Sequence, residues 1–185
     1  LRKIAAVLVL SLAVFSGSFE LMPGIGIVKG SRVLDTSLFS INLSSGADYG
    51  IRAQFNTTLI GVEAYYFVNS LEADAVNKVR RLELDFSDQF VTYGLGLVLH
   101  GSGIIAPYLS ATYGKTRFTG NHHYAPDGKH FTLGLGAKFM ISAIGIWGEA
   151  RLLRVMDILK DYREFSDPGK FTTFSVNVGA VIKIK

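Results

Sequence analysis

Residues able to do chemistry in this chain fall into three groups. The first is His100-Gly101-Ser102, where an imidazole stands two residues from a hydroxyl. A base that activates a nucleophile must reach it by hydrogen bond and be oriented by a third group. No carboxylate lies near in the adjoining segments. The second group is His122-His123 and His130 with Asp127, side chains of the kind that ligate metals. Their spacing fits no standard ligand set, and neighbouring side chains on an extended chain point apart, so no metal or other cofactor is expected. The third group is Arg52, Glu63, Lys138, Glu149 and Arg151, charges set singly into apolar surroundings. Such charges are expensive to desolvate alone and are satisfied by pairing with one another. A charge-lined path for ions or protons is the functional alternative.

Those residues need elements to hold them, and the end of the chain shows which kind. Phe174, Val176, Val178, Ala180, Ile182 and Ile184 alternate with Ser175, Asn177, Gly179, Lys183 and Lys185; only Val181 breaks the polar side. Period two is the mark of a strand with one apolar face. It recurs in segments 20–28, 47–56, 59–69, 90–100, 104–116, 130–141, 144–154 and 172–183, most of them near the 9–11 residues or so that a tilted strand needs to cross a bilayer. The connections 29–46, 70–89, 117–129 and 155–171 are long, and 57–58, 101–103 and 142–143 are short. Long and short alternate strictly, as in a transmembrane barrel with its turns at one end and its loops at the other. Residues 37–46 share the parity of the second strand and could extend it outward.

Composition agrees. Of 185 residues 49% are hydrophobic, yet no apolar run approaches the roughly 20 residues of a spanning helix. Arg2-Lys3, the apolar stretch Ile4–Phe15 and the small residues Ser16-Gly17-Ser18 form an export signal. Residues 1–18 are therefore expected to be cleaved before Phe19, leaving one domain over 19–185. Removing them takes two positive charges and no acid, so the net charge of +4 becomes +2. Nucleic acid is thus not an expected partner. With no cysteine, disulfides and thiolate metal sites are excluded.

Hairpin turns also set register. A turn at Thr57-Thr58 places Arg52 opposite Glu63 and Gln54 opposite Gly61. One at Gly101-Ser102-Gly103 places Gly96 opposite Tyr108 and Gly94 opposite Ser110. One at Ser142-Ala143 places Gly136 opposite Glu149 and Gly134 opposite Arg151, with Lys138 diagonal to Glu149. Glycines facing large polar side chains suit a narrow, filled interior.

With these patterns the chain resembles the small eight-stranded outer-membrane barrels of OmpA/OmpX type. The resemblance is carried by Pro107-Tyr108-Leu109-Ser110-Ala111-Thr112-Tyr113-Gly114, Phe131-Thr132-Leu133-Gly134-Leu135-Gly136-Ala137-Lys138-Phe139, Gly148-Glu149-Ala150-Arg151 and Tyr49-Gly50-Ile51-Arg52. Such barrels often end in an aromatic residue, whereas this chain ends Ile184-Lys185. The fold class expected is all-β, an eight-stranded antiparallel up-and-down transmembrane barrel in a bacterial outer membrane. The function expected is non-catalytic: a monomer contacting outer-membrane lipid, its lumen filled by the network of Arg52, Glu63, Lys138, Glu149 and Arg151. It would display four extracellular loops for membrane integrity or for contact with an unidentified partner. Two stretches of mixed charge, Asp74, Lys78, Arg80 and Arg81, then Lys160, Asp161, Arg163 and Glu164, read as solvated loops, with pairing to anionic headgroups as the sharper reading. The first alternative is a lipid-modifying barrel enzyme, which His100-Gly101-Ser102 matches in its His-x-Ser spacing alone. The second is a secreted soluble barrel whose apolar parity lines a ligand cavity.

Overall fold

The computed structural model describes residues 17–35, 39–77, 82–119, 127–156 and 170–184. The strands are β1 (Ser18–Lys29), β2 (Arg32–Asp35), β3 (Phe39–Asn56), β4 (Ile60–Asn77), β5 (Leu82–His100), β6 (Ile105–Phe118), β7 (Asp127–Ile141), β8 (Ile144–Met156) and β9 (Lys170–Ile184). Neighbours in sequence pair antiparallel, and β1 pairs with both β3 and β9, which closes the sheet. The short β2 pairs with the outer part of β3 and prolongs the stave begun by β1. The result is an eight-stranded, up-and-down barrel.

Strands run further on the loop side than the sequence pattern indicates. The expected loop 70–89 is mostly hairpin: β4 and β5 stay paired out to Asn77 and Leu82, so residues 78–81 alone join them. Asp74, expected in a loop, lies in β4, whereas Lys78, Arg80 and Arg81 fall outside the described residues, as do Lys160, Asp161, Arg163 and Glu164. Leu71-Glu72-Ala73-Asp74-Ala75 and Leu82-Glu83-Leu84-Asp85-Phe86 keep the period-two pattern, and acids at every second position suit the wet face of a strand as well as a loop. β3 does extend outward to Phe39, but its ladder with β4 slips by one residue between Leu43 and Gly46, as a bulge does.

Two of the three expected registers change. In the first hairpin Asn56 pairs with Gly61, so Gln54 faces Glu63 and Arg52 faces Tyr65. The tight turn is at Thr58-Leu59, closed by the Thr57 amide on the Ile60 carbonyl at 2.9 Å, with the Thr57 hydroxyl on the same carbonyl. In the second, His100 pairs with Tyr108, Gly96 with Thr112 and Gly94 with Gly114. Pro107 has no N–H to give to the ladder, so the connection closes on Gly101 N–H to the Pro107 carbonyl and the three-residue turn becomes a longer loop. The third hairpin is as expected: Gly136 faces Glu149 and Gly134 faces Arg151, with Ser142 at φ 61° in the tight turn. Both shifts are by even numbers of residues, so the side chains between each turn and the Leu43–Gly46 slip keep their faces.

The interior is layered. At the loop end Val28, Leu71, Phe90, Leu153, Val155 and Phe171 form a dry cluster. Nearer the turns Met22, Tyr65, Phe67, Val98, Tyr108, Trp147 and Val181 form another, and the buried charges lie among them. Trp147 shows why glycine is needed here. A Cβ on Gly24 would lie 2.4 Å from its indole, and one on Gly179 would lie 2.7 Å from its Nε1 and 2.0 Å from the Pro23 carbonyl. The β1–β9 ladder skips Met22 and Pro23, and the indole N–H donates to the Pro23 carbonyl at 3.1 Å. Gly179→Ala should therefore destabilise the barrel by about 1–3 kcal/mol through overpacking, read by denaturant unfolding in lipid vesicles; an unchanged midpoint would mean the ring is not seated there.

Candidate functional site: the charged interior and the apolar belt

Inward-facing positions on β3, β4, β7 and β8 bring Arg52, Glu63, Lys138, Glu149 and Arg151 inside the barrel, each 3% exposed or less. Arg52 grips Glu149 with both terminal nitrogens, and its Nη1 lies 3.6 Å from Glu63. Gln54 donates to Glu63 at 2.6 Å and accepts from Lys138 at 2.6 Å, and Lys138 also donates to Glu20 at 2.5 Å. One connected network thus crosses the lumen from β1 to β8. A second pair joins Arg151 to Asp48 at 2.5 Å, with Arg151 Nε donating to Ser175 at 3.3 Å. Both guanidiniums lie near the Phe67 ring, with ring-centre distances of 4.2 Å to Arg151 and 5.6 Å to Arg52. Arg52 also lies 5.0 Å from the Trp147 ring. Bidentate carboxylate pairing and ring faces are the surroundings a planar guanidinium tolerates when dry.

The partners differ from those the hairpins suggest. Arg52 and Glu63 are diagonal rather than opposite, and the strongest bond of Arg52 is to Glu149 across the lumen. Lys138 turns away from Glu149 to Glu20 and Gln54. Hairpin register describes neighbours along the sheet, whereas these contacts span the closed interior. Glu20, Asp48 and Gln54 complete the network and were missed, although each shares the inward parity of its strand and was legible by that signal alone.

Other candidate groups are placed as follows. His130 lies in β7, as the segment 130–141 has it, and Asp127 begins that strand; the imidazole is fully buried, hydrogen-bonded to Tyr65 and, at 2.9 Å, to Thr116. His122 and His123 fall outside the described residues, among which no group of three or more metal-ligating side chains occurs. His100 faces inward at the turn end, its Nδ1 3.2 Å from the Gly101 carbonyl, while Ser102 is exposed. Asn56, His100, Lys138, Met140 and Lys183 line a cavity of about 770 Å³ at that mouth.

The outer face is the chemical opposite of the inner one. Ile25, Leu95, Leu135, Ile146 and Val178 are each more than half exposed, and every stave contributes exposed large apolar residues, on β3 Tyr49 and Ile51 at 44% and 43%. Tyr66 faces Tyr93 and Tyr113 faces Phe131 toward the loop end, and Phe19 faces Phe55 near the turns. From Phe131 to Phe139 along β7 is about 26 Å of strand, which a tilt of about 35–45° reduces to about 20 Å along the axis. That is close to the apolar band of about 25 Å, flanked by aromatic girdles, found on membrane barrels. The apolar parity faces out and the charged parity in, the reverse of a soluble barrel holding an apolar ligand.

No protein-family model matches the chain, and no curated protein matches it. Solved structures do. The chain is similar to the outer membrane protein OprG from Pseudomonas aeruginosa, with TM-score 0.62 at 12% identity, covering 91% of this chain and 96% of that one. It is similar also to Neisserial surface protein A, with TM-score 0.65 at 12% identity, covering 90% of this chain and 97% of that one. The fold is that of the small outer-membrane β-barrels. In an outer-membrane barrel of this kind the belt meets lipid and the strands, rather than any helix, do the crossing.

Proposed function

We propose that the protein is a monomeric, non-catalytic barrel of a bacterial outer membrane. It is a rigid support that holds its loop-end hairpins at the cell surface, for membrane integrity or surface contact. Short turns would lie in the periplasm and the longer connections outside, the usual order for such barrels. The observation that carries this reading is the interior: paired charges fill the middle and the Val28–Phe171 cluster closes the loop end, so the 770 Å³ cavity at the turn end leads nowhere. Eight staves leave room for side chains but not for an aqueous channel. The charge network therefore serves to fill and brace the barrel, with no nucleic acid, cofactor or metal engaged.

In planar bilayers the purified monomer should give no steady large conductance. Reproducible ion-selective channels would overturn the reading. Residues 1–18 are proposed to be removed on export, and intact-mass measurement of outer-membrane material should find Phe19 as the first residue.

A further inference from the structure

Outward-facing cations are not spread evenly around the barrel. Lys115 on β6 and Lys129 on β7 are directly paired in the ladder, both exposed on the outer face. Lys129 pairs with Met156 and Met156 with Lys170, so one row across four staves carries three lysines. Arg154, also exposed, lies diagonal to both Lys129 and Lys170. No ion pair or hydrogen bond joins any of these four to another of the described residues. On β3, β4 and β5 the outward positions toward the loop end are Ala47, Val68, Ser70, Val91 and Gln89, while β1 carries one further exposed cation there, Lys29.

Like charges directly opposite on one face destabilise a sheet. The acid of the same parity beside them, Asp127, pairs in the ladder with a further outward cation, Arg117, and not with any of the four, so positive charge stays in excess there and calls for an external anion. Its height shows which. Lys115 stands two residues beyond Tyr113, Lys129 two beyond Phe131 and Arg154 two beyond Leu152, each the next outward position past the apolar belt. Long basic side chains at that level lay their stems along the belt and their charges among headgroups. We propose that Lys115, Lys129, Arg154 and Lys170 form a docking surface for the phosphate-bearing headgroup of an anionic lipid in the loop-side leaflet. The site rests on the membrane placement above, and insertion of the full chain into neutral vesicles tests that placement separately.

The experiment uses the full chain in phosphatidylcholine vesicles, with spin-labelled phosphatidic acid or spin-labelled phosphatidylcholine as probe. Each basic residue near a charged lipid surface is worth about a fivefold preference. The wild-type protein should hold phosphatidic acid at least about tenfold better than phosphatidylcholine at low salt, and less so at high salt. The double variant Lys115→Gln/Lys129→Gln and the quadruple variant that adds Arg154→Gln and Lys170→Gln should bring the ratio down stepwise toward one. Both should still insert into neutral vesicles, while Lys183→Gln at the turn end leaves the ratio unchanged. Residues 157–169 carry Asp157, Asp161, Glu164 and Asp167; if these neutralise the patch, the wild-type protein will show no preference and the proposal fails. A preference that survives the quadruple variant overturns it equally. Failure of the wild-type chain to insert into neutral vesicles would instead contradict the membrane placement on which the site stands.

Discussion

Arg52→Met should cost the barrel about 3–5 kcal/mol, because it leaves Glu149 and Glu63 facing a dry interior without their shared cation. Arg52 is 1% exposed and makes its bidentate bond to Glu149 from the far side of the lumen. Arg52→Met combined with Glu149→Gln should recover much of the loss, since the pair is then removed together. Combined instead with Glu63→Gln it should recover less, as Glu63 lies 3.6 Å away and keeps its bond from Gln54. Unfolding free energies in lipid vesicles for the singles and doubles give the couplings. Losses that add within about 0.5 kcal/mol for Arg52 and Glu149 would mean the two do not meet.

Leu135→Arg should cost about 2–4 kcal/mol in a bilayer, the usual penalty for a cation on the lipid face near mid-membrane. Leu135 is 64% exposed and flanked in its ladders by Leu109 and Ala150. A solvated leucine at such a position would accept arginine at a cost within about 0.5 kcal/mol. Vesicle unfolding of this variant thus separates lipid from water as the outer environment, and a neutral outcome would place the belt in water.

How much of this was legible beforehand depends on which physical signal each feature leaves. Side-chain parity survives in sequence because period two is intrinsic to a strand, so the inward placement of Arg52, Glu63, Lys138, Glu149 and Arg151 could be read directly. Turn position is a weaker signal. Thr57, Thr58 and Leu59 are all poor turn markers, and the hairpin settled one residue further on, which moved Arg52 from Glu63 to Tyr65. Pro107, with no N–H for the ladder, is the visible reason the second turn is longer than its glycines alone suggest. The β4–β5 hairpin was hidden because alternating acids look the same on a solvated strand and in a loop. Cross-lumen partners such as Lys138 with Glu20 leave no local trace at all, since only closure of the barrel brings β1 and β7 to face one another.

Absence of cysteine from the chain makes single-cysteine labelling clean, and labels at successive positions from Phe131 to Phe139 test the membrane barrel most directly. In lipid vesicles, spin-label contact with dissolved oxygen should rise at 131, 133, 135, 137 and 139 and fall at 132, 134, 136 and 138. An aqueous relaxing agent should reach neither set in mid-strand. Oxygen contact on the even positions, or access of the aqueous agent to the odd ones, would contradict a barrel with its charges inside and its apolar face in lipid.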